Sequence, residues 1–407
     1  MALNYEAICD ENRRRYGTDI GRIGPMLLAD RYDDRTHFIF ELLQNAEDAL
    51  ARRGSWSGPR KVTFTLESDR LIVSHFGTPF DEADVRGVCG IAESTKDHAA
   101  IGRFGIGFKS VYMFTDRPEI HSGIEDFVID SYVQPTSAAR MERLPDETLI
   151  VLPLKVGDSG ARDEIAEGFR RLGPNVLLFL QSIEEINWIV EGGLAGVYLR
   201  SKPESLGGNA SRITVIGQES DKQEIDQNWL VFRRDVFSPA GDAVGRVELA
   251  FALQISDSRT GVWNVVPVAK APLVVFFPTA VETGLGFFVQ GPYRTTPSRD
   301  NIPKQDPWNL NLVEETSALL IEAMEWMRDC SKLDTTAIQC LPLEREKFSE
   351  GSIFIPFFEV VRKCVSGKRD AALLEWRICF SIKNHASQNP RAERTVCPRA
   401  DVFTFRK

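Results

Sequence analysis

The sequence has 407 residues and a formal net charge of −9, with 43% hydrophobic and 26% charged residues. At roughly 100–200 residues per domain, this is a two- or three-domain chain with enough apolar content to bury a core. A disulfide-stapled mini-protein and a wholly disordered polymer are excluded, and the acidic balance disfavours a nucleic-acid-coating role.

Residues 1–30 read as one or two helices with a break at Gly21 and Gly24. The opening residues are polar and charged, without the apolar stretch of a secretory signal. The clearest helix is predicted over 35–54, where Phe38, Leu42, Ala46 and Ala49 recur at three- and four-residue steps and Gly54 supplies a stop. Alternation over 61–76 predicts a hairpin. A polar, glycine-containing stretch follows, and a helix is expected to start after GRFGIGF at 102–108. Strands are predicted at 117–121, 126–133 and 148–154, then a helix over 162–181 and a strand around 183–192. From 194 to 290 the pattern is strand after strand with polar turns. A long amphipathic helix is predicted over 308–330, and 384–407 has so little periodicity that a poorly ordered tail is expected. Boundaries near 190 and 333 follow from these shifts. No apolar run reaches the ~18 residues needed to span a bilayer. The seven cysteines form no C-x-x-C pair, so reduced thiols in a cytoplasmic protein are expected.

Chemistry concentrates on the first strong helix. Glu41, Asn45 and Asp48, at i, i+4 and i+7, share one face with the small Ala49. A carboxylate and a carboxamide one turn apart can activate a water and offer an oxygen to Mg²⁺. A solvated polar face is the alternative for that spacing alone. The glycines Gly102, Gly105 and Gly107 allow close backbone approach to a ligand, and a helix opening after them presents N–H groups to phosphate. Alone, such a loop reads by default as a flexible turn.

Taken in order, FELLQNAEDAL, LIVSHFGTPF, GIAESTK, GRFGIGFKSVY and DETLIVLPL resemble the motifs of GHKL ATPases. The likeness is greatest to the sacsin and heat-shock-90 chaperone branch and covers roughly residues 15–190. The resemblance implies an α+β fold: a two-layer α/β sandwich of the Bergerat ATP-binding type over 1–190, a smaller α/β transducer-like domain over 191–332, and a helical extension over 333–407. It implies ATP and Mg²⁺ as cofactors. Glu41 matches the general base, Asn45 the Mg²⁺ ligand, and Asp48 an acidic pocket residue. Gly77 matches the glycine beside the adenine, Lys96 the lid lysine, and Thr148 a threonine that helps hold the base through water. Gly102, Phe104, Gly105, Gly107 and Phe108 match the phosphate-cradling loop. Arg299, in Ser298-Arg299-Asp300, matches an arginine sent from the second domain to the γ-phosphate. A surface salt bridge is its alternative.

One departure stands out. The family reads D-x-G-x-G where this chain has Ser74-His75-Phe76-Gly77-Thr78-Pro79, so His75 takes the place of the aspartate that accepts the adenine amino proton. Base recognition is altered by it, or the ring only packs the hairpin. The resemblance implies an ATPase whose lid, at 88–105, couples nucleotide state to shape. A protein client or partner subunit, and dimerisation, go with that reading. A nucleotide-sensing module without appreciable hydrolysis is the first alternative, and a DNA-acting clamp of the mismatch-repair and topoisomerase branch is the second.

Overall fold

The computed structural model describes residues 3–17, 20, 34–91, 107–238, 241–257, 262–296 and 299–367. The chain begins with helices α1 (Tyr5–Tyr16) and α2 (Phe38–Ala51), strands β1 (Lys61–Leu66) and β2 (Arg70–His75), and helix α3 (Glu82–Cys89). A 3₁₀ helix (Gly107–Met113) leads into β3 (Glu119–Ser122), β4 (Glu125–Asp130), β5 (Gln134–Ser137) and β6 (Thr148–Pro153). Helix α4 (Ala161–Leu172) and β7 (Glu185–Val190) follow. Then come β8 (Leu194–Arg200), β9 (Glu204–Gly207), β10 (Ala210–Glu219), β11 (Ile225–Phe237) and β12 (Ala243–Asp257). The last strands are β13 (Val262–Val266), β14 (Pro272–Val275), β15 (Phe277–Glu282) and β16 (Phe288–Gln290). Helices α5 (Pro307–Asp329), α6 (Thr335–Cys340) and α7 (Ile355–Gly367) close the described chain. The fold is mixed α+β: one large mixed sheet, with helices towards the C-terminal end.

The sheet runs β5-β4-β3-β6-β2-β1-β7-β8-β10-β11-β12-β16-β14-β15, with β9 on β10 and β13 on β12. Most pairs are antiparallel; β1–β7 and β14–β16 are parallel. The sheet continues past residue 190, because β7 pairs with β1 on one side and with β8 on the other. One buried cluster joins α2 and α4 to strands β1–β4, β6 and β7 and reaches Val274 and Phe277. A second joins β11–β16 to α5 and α7.

Local sequence explains the elements that position the site. Phe38, Leu42, Ala46 and Ala49 are all buried on α2. A 3₁₀ turn, Arg35–His37, precedes it, capped by Asp34, whose Oδ1 accepts the Thr36 N–H at 2.8 Å. In β1 and β2 burial alternates, so Val62, Phe64 and Leu66 face the core together with Leu71, Val73 and His75. A period of two therefore turns His75 inward.

Three elements differ from expectation. The helix predicted over 162–181 ends at Leu172 and gives way to a 3₁₀ turn at Pro174–Leu177. Pro174 has no N–H to give and disfavours a helical residue before it. The helix after the glycine loop is 3₁₀, not α. There Ser110 Oγ donates to the Gly107 carbonyl at 2.6 Å, taking an acceptor that an α-turn would use. Strand β5 is polar and carries no strand signal of its own. It forms because β4 offers it an edge. The tail predicted over 384–407 lies outside the described residues.

Candidate functional site

Beside α2 lies a cleft of about 390 Å³, lined by Asn45, Asp48, Ala49 and Arg52 from the helix, His75 and Ile150 from the sheet, and Phe80, Asp84, Val88 and Phe108 from the flanking segments. Asn45 and Asp48 are half-buried. Among the described residues, the Asn45 carboxamide makes no hydrogen bond. Arg52 clasps Asp84 with two bonds, at 2.9 and 3.2 Å.

The segment after β2 closes one end. Thr78 N–H donates to the Ala49 carbonyl at 2.8 Å, drawing the loop onto α2. Gly77 passes so near that a Cβ there would lie 2.4 Å from Ala49 Cβ, so the small residue at 49 and the glycine at 77 are needed together. Gly77 N–H also donates to His75 Nδ1 at 3.0 Å. Burial lowers the His75 pKa to about 4, and the charges of Arg52 and Arg53 push the same way. Thr148 sits opposite His75 in the β2–β6 register and opposite Ser122 in the β3–β6 register. It is fully buried, its hydroxyl 2.6 Å from Ser122 Oγ, which accepts the Phe80 N–H at 3.0 Å. Thr148 backs His75 and is not one of the cleft-lining residues.

A charged group lies one turn earlier on α2, among residues that do not line the cleft. Glu41 is 8% exposed, and its Oε1 lies 3.4 Å from His37 Nε2 and 3.7 Å from Arg299 Nη2. Gly107 abuts the same carboxylate: a Cβ there would be 2.1 Å from Glu41 Oε2. Arg299 Nη1 donates to the Val275 carbonyl at 3.2 Å, and its Nη2 lies 3.5 Å from Gln44 Oε1, 255 positions away in sequence. Its backbone is left-handed, with φ of 56°. That conformation costs of order 1–3 kcal/mol for a non-glycine residue. The turn is pinned by Arg299 N–H to the Thr296 carbonyl at 2.9 Å and by Ala280 N–H to the Arg299 carbonyl at 3.1 Å. Phe40 of α2 meets Phe277 of β15 with ring centroids 5.1 Å apart, so the same two regions also touch through apolar surface.

Lys96, Gly102, Phe104 and Gly105 lie outside the described residues, as does Ser298 and most of the lid expected at 88–105. Phe108, just past the loop, is buried and lines the cleft. Lys109 follows it and is buried too, donating to the Val88 carbonyl at 2.5 Å and to the Tyr132 carbonyl. Burial holds its ammonium pKa down at about 8. It ties the 3₁₀ helix to α3.

Sequence reasoning had no role for His37, Gln44, Glu47, Arg52 or Asp84. His37 was open to discovery, because it stands four residues before Glu41 on the same helical face. The Arg52–Asp84 and Gln44–Arg299 contacts have no local signature. Glu47 is buried on α2, and its carboxylate accepts the N–H groups of Gln181 and Ser182 at 2.7 and 2.8 Å and of Ile183 at 2.8 Å. It anchors the helix to the start of β7.

Residues 23–148 match the model of the Sacsin domain. Protein NO VEIN of Arabidopsis thaliana is 27% identical over 332 residues, covering 75% of this chain and 12% of that protein. Sacsin of Homo sapiens is 28% identical over 251 residues, covering 56% of this chain and 5% of sacsin. Chaperone protein HtpG of Sulfurovum sp. (strain NBC37-1) is 26% identical over 136 residues, covering 27% of this chain and 22% of HtpG. The chain therefore spans only a small part of the length of each of these relatives. It carries a Sacsin domain over residues 23–148 and is distantly homologous to sacsin, NO VEIN and the HtpG chaperones through their GHKL, heat-shock-90-like region.

Proposed function

We propose that the chain is a Mg²⁺-dependent, GHKL-type nucleoside triphosphatase of chaperone-like or sacsin-like character, in which nucleotide state is coupled to the arrangement of the α2 region and the strands that follow it. ATP is the nucleotide that the HtpG homology suggests. The reading takes residues 1–190 as a two-layer Bergerat-type sandwich and 191–332 as its transducer. The observation that carries it is the gathering, at one end of α2, of the Glu41 carboxylate, the Arg299 guanidinium 3.7 Å away and the Gly107 backbone. These three come from distant parts of the chain and meet beside a cleft of nucleotide-compatible size.

The residues fit the cofactors. Gly107 leaves room where a side chain would strike the carboxylate, and Asn45 offers the neutral oxygen that a hard cation accepts. Bound Mg²⁺ would neutralise phosphate charge, with Asn45 as its protein ligand. Glu41 would orient a water and take its proton. Arg299 would stabilise charge developing on the terminal phosphate. Asp48 and His75 would hold the base end. A protein client or partner subunit would read the resulting change of shape.

Phosphate release and calorimetry on the Glu41→Ala variant test this. Nucleotide binding is expected to persist while release falls by about 10²–10⁴-fold. Undiminished release overturns Glu41 as the base. A second reading keeps binding and drops turnover. It is favoured by the anchoring of Arg299 on Val275 and Gln44, which suits a residue that senses a bound phosphate and holds two regions together. Tight nucleotide binding without measurable release in the unaltered protein would select it.

A further inference from the structure

His75 has two ring nitrogens and, when neutral, one proton. Gly77 N–H donates to Nδ1, so Nδ1 carries the lone pair. Burial, helped by Arg52 and Arg53, keeps the ring neutral at pH 7, and its proton therefore sits on Nε2. Nε2 makes no hydrogen bond to the described residues, and the ring lines the cleft. An aspartate at this strand position would offer the cleft only lone pairs. This histidine offers one N–H and no available lone pair.

We propose that His75 reads a purine by donating from Nε2–H to an acceptor at ring position 6, so that the site prefers 6-oxopurine nucleotides, with guanine or hypoxanthine, over adenine. The proposal rests on the nucleotide reading above and changes the base it takes. Adenine carries an amino donor at position 6, which would set donor against donor in a buried place. The remaining wall agrees. The Asp84 carboxylate is clasped by Arg52, and Thr148 Oγ1, opposite His75 but outside the lining, is engaged with Ser122 Oγ at 2.6 Å.

Calorimetry on the whole chain with the Mg²⁺ complexes of ATP, GTP and ITP tests it; ITP and ATP differ at the edge in question. ITP and GTP are expected to bind about tenfold tighter than ATP, or more. His75→Asp, which restores a pure acceptor, is expected to move the preference towards ATP by a similar factor. His75→Asn, whose carboxamide can accept from Gly77 and still donate, is expected to keep the 6-oxopurine preference. If the aspartate variant does not fold, the ITP-to-ATP ratio of the unaltered protein decides. ATP binding as tightly as ITP or more tightly overturns the base assignment and leaves the nucleotide site standing. No binding of any of the three at millimolar concentration overturns the nucleotide reading, and the base assignment with it.

Discussion

Helix α2 buries two glutamates, and they are held in opposite ways. Glu47 is saturated: three backbone N–H groups from 181–183 converge on its oxygens at 2.7 to 2.8 Å. Glu41 has charged side chains among its neighbours, His37 Nε2 at 3.4 Å and Arg299 Nη2 at 3.7 Å, with the Gly107 backbone against it. Both are equally hidden from solvent, at 8% exposure. Burial alone therefore does not separate a structural carboxylate from one proposed to be reactive. Backbone donors are fixed by the fold, so Glu47 is an anchor. Side-chain partners can rearrange, which on the proposed function would let Glu41 take a water and free Arg299 for phosphate.

The comparison can be broken most sharply at Arg299. On the proposed function, Arg299→Ala lowers phosphate release by roughly 10³-fold with little change in folding stability. A thermal or denaturant midpoint unchanged alongside that loss supports a role towards the reacting phosphate. Loss of stability without loss of release would make Arg299 a structural tie, like Glu47.

Glu47→Ala should do the reverse. It leaves three N–H groups without their acceptor, those of Ser182 and Ile183 buried, and a destabilisation of about 3 kcal/mol is expected in urea unfolding. Binding by the fraction that remains folded is expected to be unchanged. Burial pushes the Glu47 carboxyl above its ordinary pKa even against those three donors, so the anchor holds its charge at a cost. A neutral effect of this substitution would remove the distinction between the two glutamates.

The smallest expected effect is at the other end of the helix. The folded pKa of His75, about 4, lies below its unfolded value of 6.5. The unfolded chain thus binds the extra proton first as pH falls. The stability associated with the neutral ring is present above pH 6.5 and is lost as pH drops towards 4. Between pH 7 and pH 5 the loss is about 2 kcal/mol. The difference in urea unfolding between the unaltered protein and His75→Asn, measured at both pH values, isolates this ring from other titrating groups. Parallel pH profiles would show that His75 is not buried neutral, and would remove the basis for a single proton on Nε2.

Much of the site was legible before any fold was known. Glu41, Asn45 and Asp48 lie on one side of α2 because helical spacing puts them there. His75 turns inward because β2 alternates with Leu71 and Val73. The pairing of Ala49 with a close neighbour was half legible, since the small residue and Gly77 were both visible and their contact was not. Less legible was the region after the glycine loop, where a hydroxyl bond from Ser110 and the buried Lys109 give a 3₁₀ turn rather than an α-helix. The end of α4 could have been read from Pro174.

By itself, the sequence determined sides and spacings: which residues share a helical face, which strand positions point inward, and where glycine permits close approach. These follow from local periodicity, which a short window of chain encodes completely. Tertiary structure alone decided the partners. It brought Arg299 to Glu41 and Gln44, gave Glu47 three backbone donors, and set Gly77 N–H against one nitrogen of His75. Each of these is a short-range polar contact, and all but the last join segments far apart in the chain. Periodicity says which way a side chain points, and only packing says what it meets there.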